Sequence, residues 1–355
     1  MLKITAQKLG WKANLLLAVA SVVFFFATIE LTLYLTGFNY SQFPRFMNIK
    51  TVDKYIDWQS SHVSIQHFIP HKKRMWAAMP DKGIVNSSGY IGKNITLARI
   101  PGVKRILFLG DSCTAGENYY PDKVINILNA RLGIKTEPLI AATGGYSTFQ
   151  GLDVLRETVK YKPDIVISYF GWNDHWQALG GLPDHEYKEM DDLQLLIHNA
   201  SAKLRTYQLL HFLIYPPHKY LGDSSLSGRV TAMDMLEFLR VPLDKFIANI
   251  REMIKIGQEN KMQVYFIAAP MGPHINERDN ALLPKNFIPP IHSRYNALLE
   301  ETAAEYPDVH VINFKNTVFD KSLMMQDGIH PTAKGHDVIA EGVVKKLMET
   351  SKLRP

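Results

Sequence analysis

The chain has one cysteine, Cys113, among its 355 residues. That scarcity excludes an internal disulfide and any metal cluster built on several thiolates, and it is compatible with an oxidising compartment without requiring one. Charge of one sign is also in short supply, because 40 Lys and Arg stand against 34 Asp and Glu. No basic block runs longer than His71-Lys72-Lys73-Arg74, so no nucleic-acid partner is expected. There is no glycine-rich phosphate loop and no His/carboxylate set with metal-ligand spacing, so neither cofactor nor metal is expected. Internal repeats and low-complexity tracts are lacking too. What remains is a composition of 46% hydrophobic and 21% charged residues, that of a globular chain long enough for one large domain or two small ones.

One long apolar run is present. From Leu15 to Leu35 the only charged residue is Glu30, and Val22-Val23-Phe24-Phe25-Phe26 forms its uninterrupted centre. As a helix this run spans roughly 32 Å, enough to cross a bilayer. Lys3, Lys8 and Lys12 precede it, whereas Asn39, Tyr40, Ser41 and Gln42 follow it with only Arg45 nearby. That bias places residues 1–12 in the cytoplasm, a transmembrane anchor at 13–36 surrounded by lipid, and the rest outside the cytoplasm, in the periplasm if the cell has two membranes. Ala18-Val19-Ala20 resembles a signal-peptidase site, but the apolar run continues well beyond it, which favours an uncleaved anchor. Glu30 lies near the outer end, where it can reach the interface or pair with a membrane partner.

Residues 37–103 carry scattered Trp, Pro and Gly without a long periodic segment and read as a stalk and lead-in. From Lys104 onward, strands and helices alternate as in βαβ units, giving a domain at 104–350. The apolar runs are Arg105 to Leu109, Pro138 to Ala142, Asp164 to Phe170, Gln263 to Ala269 and Val309 to Asn313. Helical patterns cover Asp122 to Leu132, Phe149 to Tyr161, Leu243 to Asn260, Ile291 to Tyr306 and Thr332 to Met348. The implied architecture is α/β, a three-layer α/β/α sandwich on five parallel strands. One interval is too long for a simple crossover: about 176–242 reads as an insertion, with a helical pattern over Asp192 to Ile214.

The first apolar strand stops at Gly110 and delivers Asp111 and Ser112 at its carboxyl end, where ligands bind in open α/β sheets. A serine hydroxyl needs a base to act as a nucleophile. Asp327-Gly328-Ile329-His330-Pro331 supplies an imidazole and, three residues earlier, a carboxylate to orient it. Acyl transfer also needs donors aimed at the developing oxyanion. Ala142-Thr143-Gly144-Gly145 offers unobstructed backbone N–H groups, and Gly171-Trp172-Asn173-Asp174 offers the Asn173 side-chain amide.

Together, Gly110-Asp111-Ser112, Gly145-Tyr146-Ser147, Gly171-Trp172-Asn173-Asp174 and Asp327-Gly328-Ile329-His330-Pro331 resemble the four blocks of the SGNH hydrolases, or GDSL esterases and lipases, in order and spacing. Val85-Asn86-Ser87-Ser88-Gly89-Tyr90 is similar to the lead-in of membrane-anchored bacterial relatives. The resemblance implies a flavodoxin-like sandwich with Ser112 as nucleophile, His330 as base and Asp327 orienting it. It implies an oxyanion hole of the Ser112 backbone, the Gly145 backbone and the Asn173 side chain. The asparagine that usually opens the second block is missing before these glycines, which leaves Gly144 open as an alternative to Gly145. Cys113 is expected to be an inert thiol.

The expected activity is hydrolysis of an acyl ester, an acetyl group on an envelope carbohydrate being the favoured substrate. Passage of the acyl group to a polysaccharide hydroxyl by an O-acyltransferase is the alternative, and a non-catalytic, membrane-tethered binding or assembly protein is the rival from another class. Trp172, Trp176 and His274 are candidate substrate-binding residues, with His175, Glu117 and Met271 also placed near the site by position.

Overall fold

The computed structural model describes residues 10–40, 68–176, 183–214, 239–273, 275, 288–350 and 353. His274 lies outside the described residues.

The N-terminal helix α1 spans Trp11–Leu35, has a mean hydropathy of 2.2 over its most apolar window, and contains no buried residue. It is long and apolar enough to cross a membrane. A short antiparallel hairpin follows, β1 (Phe68–His71) and β2 (Met75–Ala78). The main sheet consists of β3 (Lys104–Gly110), β4 (Thr136–Ala142), β5 (Ile165–Tyr169), β6 (Gln263–Ile267) and β7 (Val309–Ile312), all parallel, in the order β4-β3-β5-β6-β7. All five strands coincide with the apolar runs of the sequence.

Strands buried on both faces need two helical layers, and alternate residues point to each. Leu107, Leu109, Leu139, Val166 and Phe266 pack with α3 (Thr148–Thr158), α6 (Leu243–Glu259) and α7 (Ile288–Ala304). Ile106, Phe108, Ile140, Ile167 and Tyr265 pack on the other side with α2 (Tyr120–Asn126) and α8 (Ala333–Thr350). The result is the three-layer α/β/α sandwich. The chain leaves β3 for β4 on one side and returns to β5 on the other, so the carboxyl end of β3 lies at the switch point where such sheets open a crevice.

The helical pattern over Asp192 to Ile214 is two helices rather than one, α4 (Asp192–Ser201) and α5 (Arg205–Ile214). The break has a physical cause outside the segment. Glu30 of α1 accepts hydrogen bonds from the backbone N–H groups of Arg205 (2.7 Å) and Thr206 (2.8 Å) and from Thr206 Oγ1 (2.8 Å), which caps a new helix start. Glu30 thus finds its partner within the same chain. In the lead-in, Met75, Trp76 and Tyr90 are buried in the same core as α3 and α6.

Candidate active site

Gly110 closes β3 because no side chain fits there. A Cβ would stand 2.1 Å from Thr114 Oγ1 and 3.1 Å from the Tyr169 carbonyl. The chain then turns at Asp111, which is fully buried. Its Oδ1 accepts from Cys113 N–H (2.9 Å) and its Oδ2 from Asn173 Nδ2 (2.9 Å). Asp111 therefore holds the turn that presents Ser112 and at the same time ties down Asn173. Burial pushes the Asp111 carboxyl up to about 6, against the opposing pull of the Cys113 N–H, the His330 charge and the Asn173 amide.

Ser112 Oγ lies 2.8 Å from His330 Nε2, and His330 Nδ1 lies 2.5 Å from Asp327 Oδ2. Burial by itself raises the Asp327 carboxyl. Hydrogen bonds and charge from His330, with the backbone N–H groups of His330 (3.0 Å) and Ile329 (2.9 Å) on Oδ1, outweigh that effect and hold it well below the usual carboxylate range. Asp327 is thus an anion fixed in direction, which places the imidazole proton on Nδ1 and leaves Nε2 to accept from the serine. Gly328 makes the tight loop possible: it has φ +68°, and a Cβ there would meet Ile275 atoms at 2.9–3.0 Å.

Among the described residues, neither Ser112 N–H nor Gly145 N–H has an intramolecular acceptor. Asn173 Nδ2 has two hydrogens and spends one on Asp111, leaving the second for a ligand. Gly145 has φ +79°, and its loop is gripped on both sides. Trp76 Nε1 donates to the Gly144 carbonyl (3.1 Å), and Arg240 donates to the Gly145 carbonyl (2.7 Å). In a trans peptide the N–H points opposite to the C=O, so the indole that fixes Gly144 C=O also fixes the direction of Gly145 N–H. Arg240 is itself buried, forked onto Asp184 at 3.0 and 2.7 Å, and lies 5.5 Å over the Trp76 ring. Asp184 also accepts from Ser147 Oγ (2.6 Å), the residue that caps α3. Asp174 accepts from Thr148 N–H (3.0 Å) and Gly171 N–H (3.1 Å), and burial pushes it up to about 7 despite those bonds.

Trp76, Asp184 and Arg240 carried no signal in the sequence, since Trp76 and Arg240 act on backbone far away in the chain and Asp184 on the distant side chains of Arg240 and Ser147. Two candidate positions, Trp172 and His175, are buried away from any ligand, and Cys113 is the inert thiol expected. Trp172 is 1% exposed and stacks on His292 at 3.8 Å, so its faces are filled by core and unavailable to a sugar. His175 is buried and bonded to His292 (3.0 Å), and burial, with His292 nearby, drives its imidazole well below the usual range. Cys113 is fully buried, and burial with the Asp111 and Asp327 charges pushes its thiol well up, which makes it a poor nucleophile. Trp176 is half-buried at the start of the insertion, and Glu117 is exposed. No group of three or more His, Cys, Asp or Glu with the geometry to hold a metal occurs among the described residues.

Residues 108–338 match the model of the GDSL-like lipase/acylhydrolase family. No curated protein matches the chain in sequence. Among solved structures, a lipase/acylhydrolase from Enterococcus faecalis is 18% identical with a TM-score of 0.45, over 71% of this chain and 99% of that one. An acetyl xylan esterase is 14% identical with a TM-score of 0.43, over 68% and 99%. A psychrotrophic esterase from a Pseudoalteromonas species is 15% identical with a TM-score of 0.42, over 69% and 97%. The matched segment begins within β3 and ends in α8, taking in every strand of the parallel sheet and the loops that carry Ser112, Gly145, Asn173, Asp327 and His330. The chain belongs to the GDSL-like lipase/acylhydrolase family of ester-hydrolysing serine hydrolases.

Proposed function

We propose that the chain is a membrane-anchored serine esterase that removes an acyl group, acetyl in the first instance, from a carbohydrate of the cell envelope through a Ser112 acyl-enzyme. The observation that carries the reading is the continuous chain from Ser112 Oγ through His330 to Asp327, at 2.8 and 2.5 Å, together with the Ser112 and Gly145 N–H groups, which have no acceptor among the described residues.

Ser112 Oγ attacks the ester carbonyl while His330 Nε2 takes its proton. Asp327 stabilises the imidazolium without itself becoming protonated. The carbonyl oxygen gains negative charge as the tetrahedral centre forms, and Ser112 N–H, Gly145 N–H and the second Asn173 amide hydrogen receive it. His330 then returns the proton to the departing alcohol oxygen. Water repeats the sequence on the acyl-enzyme and releases the acid and free Ser112. The substrate class rests on location: an anchor at 13–36 with its N-terminus in the cytoplasm brings the 104–350 domain to the outer surface of the membrane, where esterified envelope polymers lie.

Detergent-solubilised full chain, supplied with acetylated polysaccharide, is expected to release acetate, and Ser112→Ala is expected to abolish that release. Acetyl appearing on an added oligosaccharide in place of free acetate would reassign the protein as a transferase. Turnover of long-chain esters alone would remove the carbohydrate substrate.

A further inference from the structure

We infer that the helical hairpin α4–α5, residues 192–214, beds into the outer leaflet of the bilayer beside α1, with Glu30 as the clasp that holds it there. The inference rests on α1 being a transmembrane anchor.

The clasp is specific. Both Glu30 oxygens are engaged by the first residues of α5, and a carboxylate there also meets the positive end of the helix dipole. Further along α5, Phe212 meets Phe38 and Tyr40 edge to face, with ring centroids at 6.0 and 5.4 Å, and Gln208 Oε1 accepts from Tyr40 N–H (3.2 Å). α5 therefore starts on the outer turns of the anchor and runs along the segment that follows it.

Its depth follows from helix geometry. Glu30 precedes the last residue of α1 by five positions, or about 7.5 Å at the α-helical rise. The helix has 25 residues and so is about 37 Å long, against a hydrocarbon layer of about 30 Å. Centred on that layer, α1 projects about 3–4 Å beyond each face, so the clasp falls within about one helical turn of the boundary between hydrocarbon and headgroups, and the hairpin tip around Ala202 to Thr206 falls there with it.

A hairpin held at that depth needs a lipid-compatible surface, and both helices have one. Leu193, Leu196 and Ile197 form an i, i+3, i+4 stripe on α4, and Leu210, Leu213 and Ile214 form the same stripe on α5, all 48–66% exposed. Against water these exposed apolar stripes, one of them on the helix that contacts α1, would be costly. Lipid at the headgroup boundary covers them in the manner of interfacial amphipathic helices. The far side of the hairpin is fastened to the enzyme, since Lys72 Nζ lies 3.2 Å from Asp192 Oδ1 and Met190 N–H donates to the Lys72 carbonyl (2.9 Å). The insertion thereby fixes how the catalytic domain sits on the membrane.

The test uses the full chain in phosphatidylcholine/phosphatidylglycerol vesicles. Spin labels are placed at Leu196→Cys or Leu213→Cys, with Val318→Cys (74% exposed) as the aqueous reference and the unsubstituted chain, whose Cys113 is buried, as the blank. Labels at 196 and 213 should collide more with oxygen than with a water-soluble nickel complex, and the label at 318 should show the reverse. In Glu30→Leu the order at 196 and 213 should invert while the chain still resists alkaline extraction. Aqueous labels in an extraction-resistant chain overturn the inference and leave the anchor standing. Release of the chain by alkali overturns both. Spin–spin broadening between copies at 213 assigns the face to a second copy and overturns the lipid assignment. Unchanged accessibility in Glu30→Leu removes the clasp.

Discussion

Replacing Trp76 by Phe tests whether the Gly145 N–H is a catalytic donor without touching any group that contacts substrate. Phenylalanine keeps an aromatic ring in the buried site between Tyr146 and Arg240 but removes the Nε1–H that holds the Gly144 carbonyl at 3.1 Å. A neutral hydrogen bond of this kind contributes about 1 kcal/mol. If all of it is expressed in the transition state through the orientation of the Gly145 N–H, kcat falls about fivefold. Outright loss of an oxyanion donor costs about a hundredfold or more, so a fall of that size would mean that the loop had collapsed. The assay is steady-state hydrolysis of p-nitrophenyl acetate by the detergent-solubilised full chain, with thermal unfolding measured in parallel. The expected signature is a lower kcat with KM little changed. A lower Tm with an unchanged kcat would refute the reasoning, because the indole would then be stabilising the loop without directing a donor.

Three further outcomes follow. Asp327→Asn retains an oxygen for the Ile329 and His330 N–H groups but presents an amide donor to His330 Nδ1, so kcat for p-nitrophenyl acetate should fall by about a thousandfold or more; a loss under tenfold would contradict the orienting role. Gly328→Ala forces a Cβ onto Ile275 at a residue with φ +68°, and should cost about 1–3 kcal/mol, read as a lower urea midpoint; an unchanged midpoint would mean that the loop relaxes freely. His336 is pushed down to about 3 by burial, with the Lys123 and His330 charges adding to it. The unfolded chain binds a proton near pH 6.5 that the folded chain refuses, so this stabilisation is present above pH 6.5 and is lost as pH falls towards 3. At pH 5.5 the loss is about 1.4 kcal/mol, and the difference in unfolding free energy between pH 7.5 and 5.5 should shrink by about that much in His336→Gln. An undiminished difference would contradict the assignment.

What could be read from the sequence follows from how local each signal is. The strand from Lys104 to Gly110, buried on both faces, announces itself as a run of apolar residues, and the turn that follows it must lie at the carboxyl edge of the sheet whatever surrounds it. Asp327 and His330 lie three apart in one loop, so their pairing is visible in the spacing. The contacts that shape the site from a distance left no such trace. Glu30 caps a helix that begins 175 positions away, and a chain that reads as one helical pattern is split there. Trp76 and Arg240 act on backbone carbonyls 68 and 95 positions away, respectively. Side chain to backbone bonds impose no periodicity, so neither residue differs in pattern from an ordinary buried aromatic or a surface arginine. Trp172 shows the converse case: its position beside Asn173 suggests a ligand surface, but the turn after β5 folds the indole back onto His292, a direction set by tertiary packing and not by local sequence.

The central claim is that Ser112 is a nucleophile activated by His330. Its most direct measurement is mass spectrometry of the full chain after treatment with a fluorophosphonate, with peptide mapping of the adduct. The account predicts one phosphonyl group on Ser112, none on Ser112→Ala, and a strongly slowed reaction in His330→Ala. An unmodified Ser112 under conditions that label a known serine esterase, or equal labelling with and without the imidazole, would contradict it.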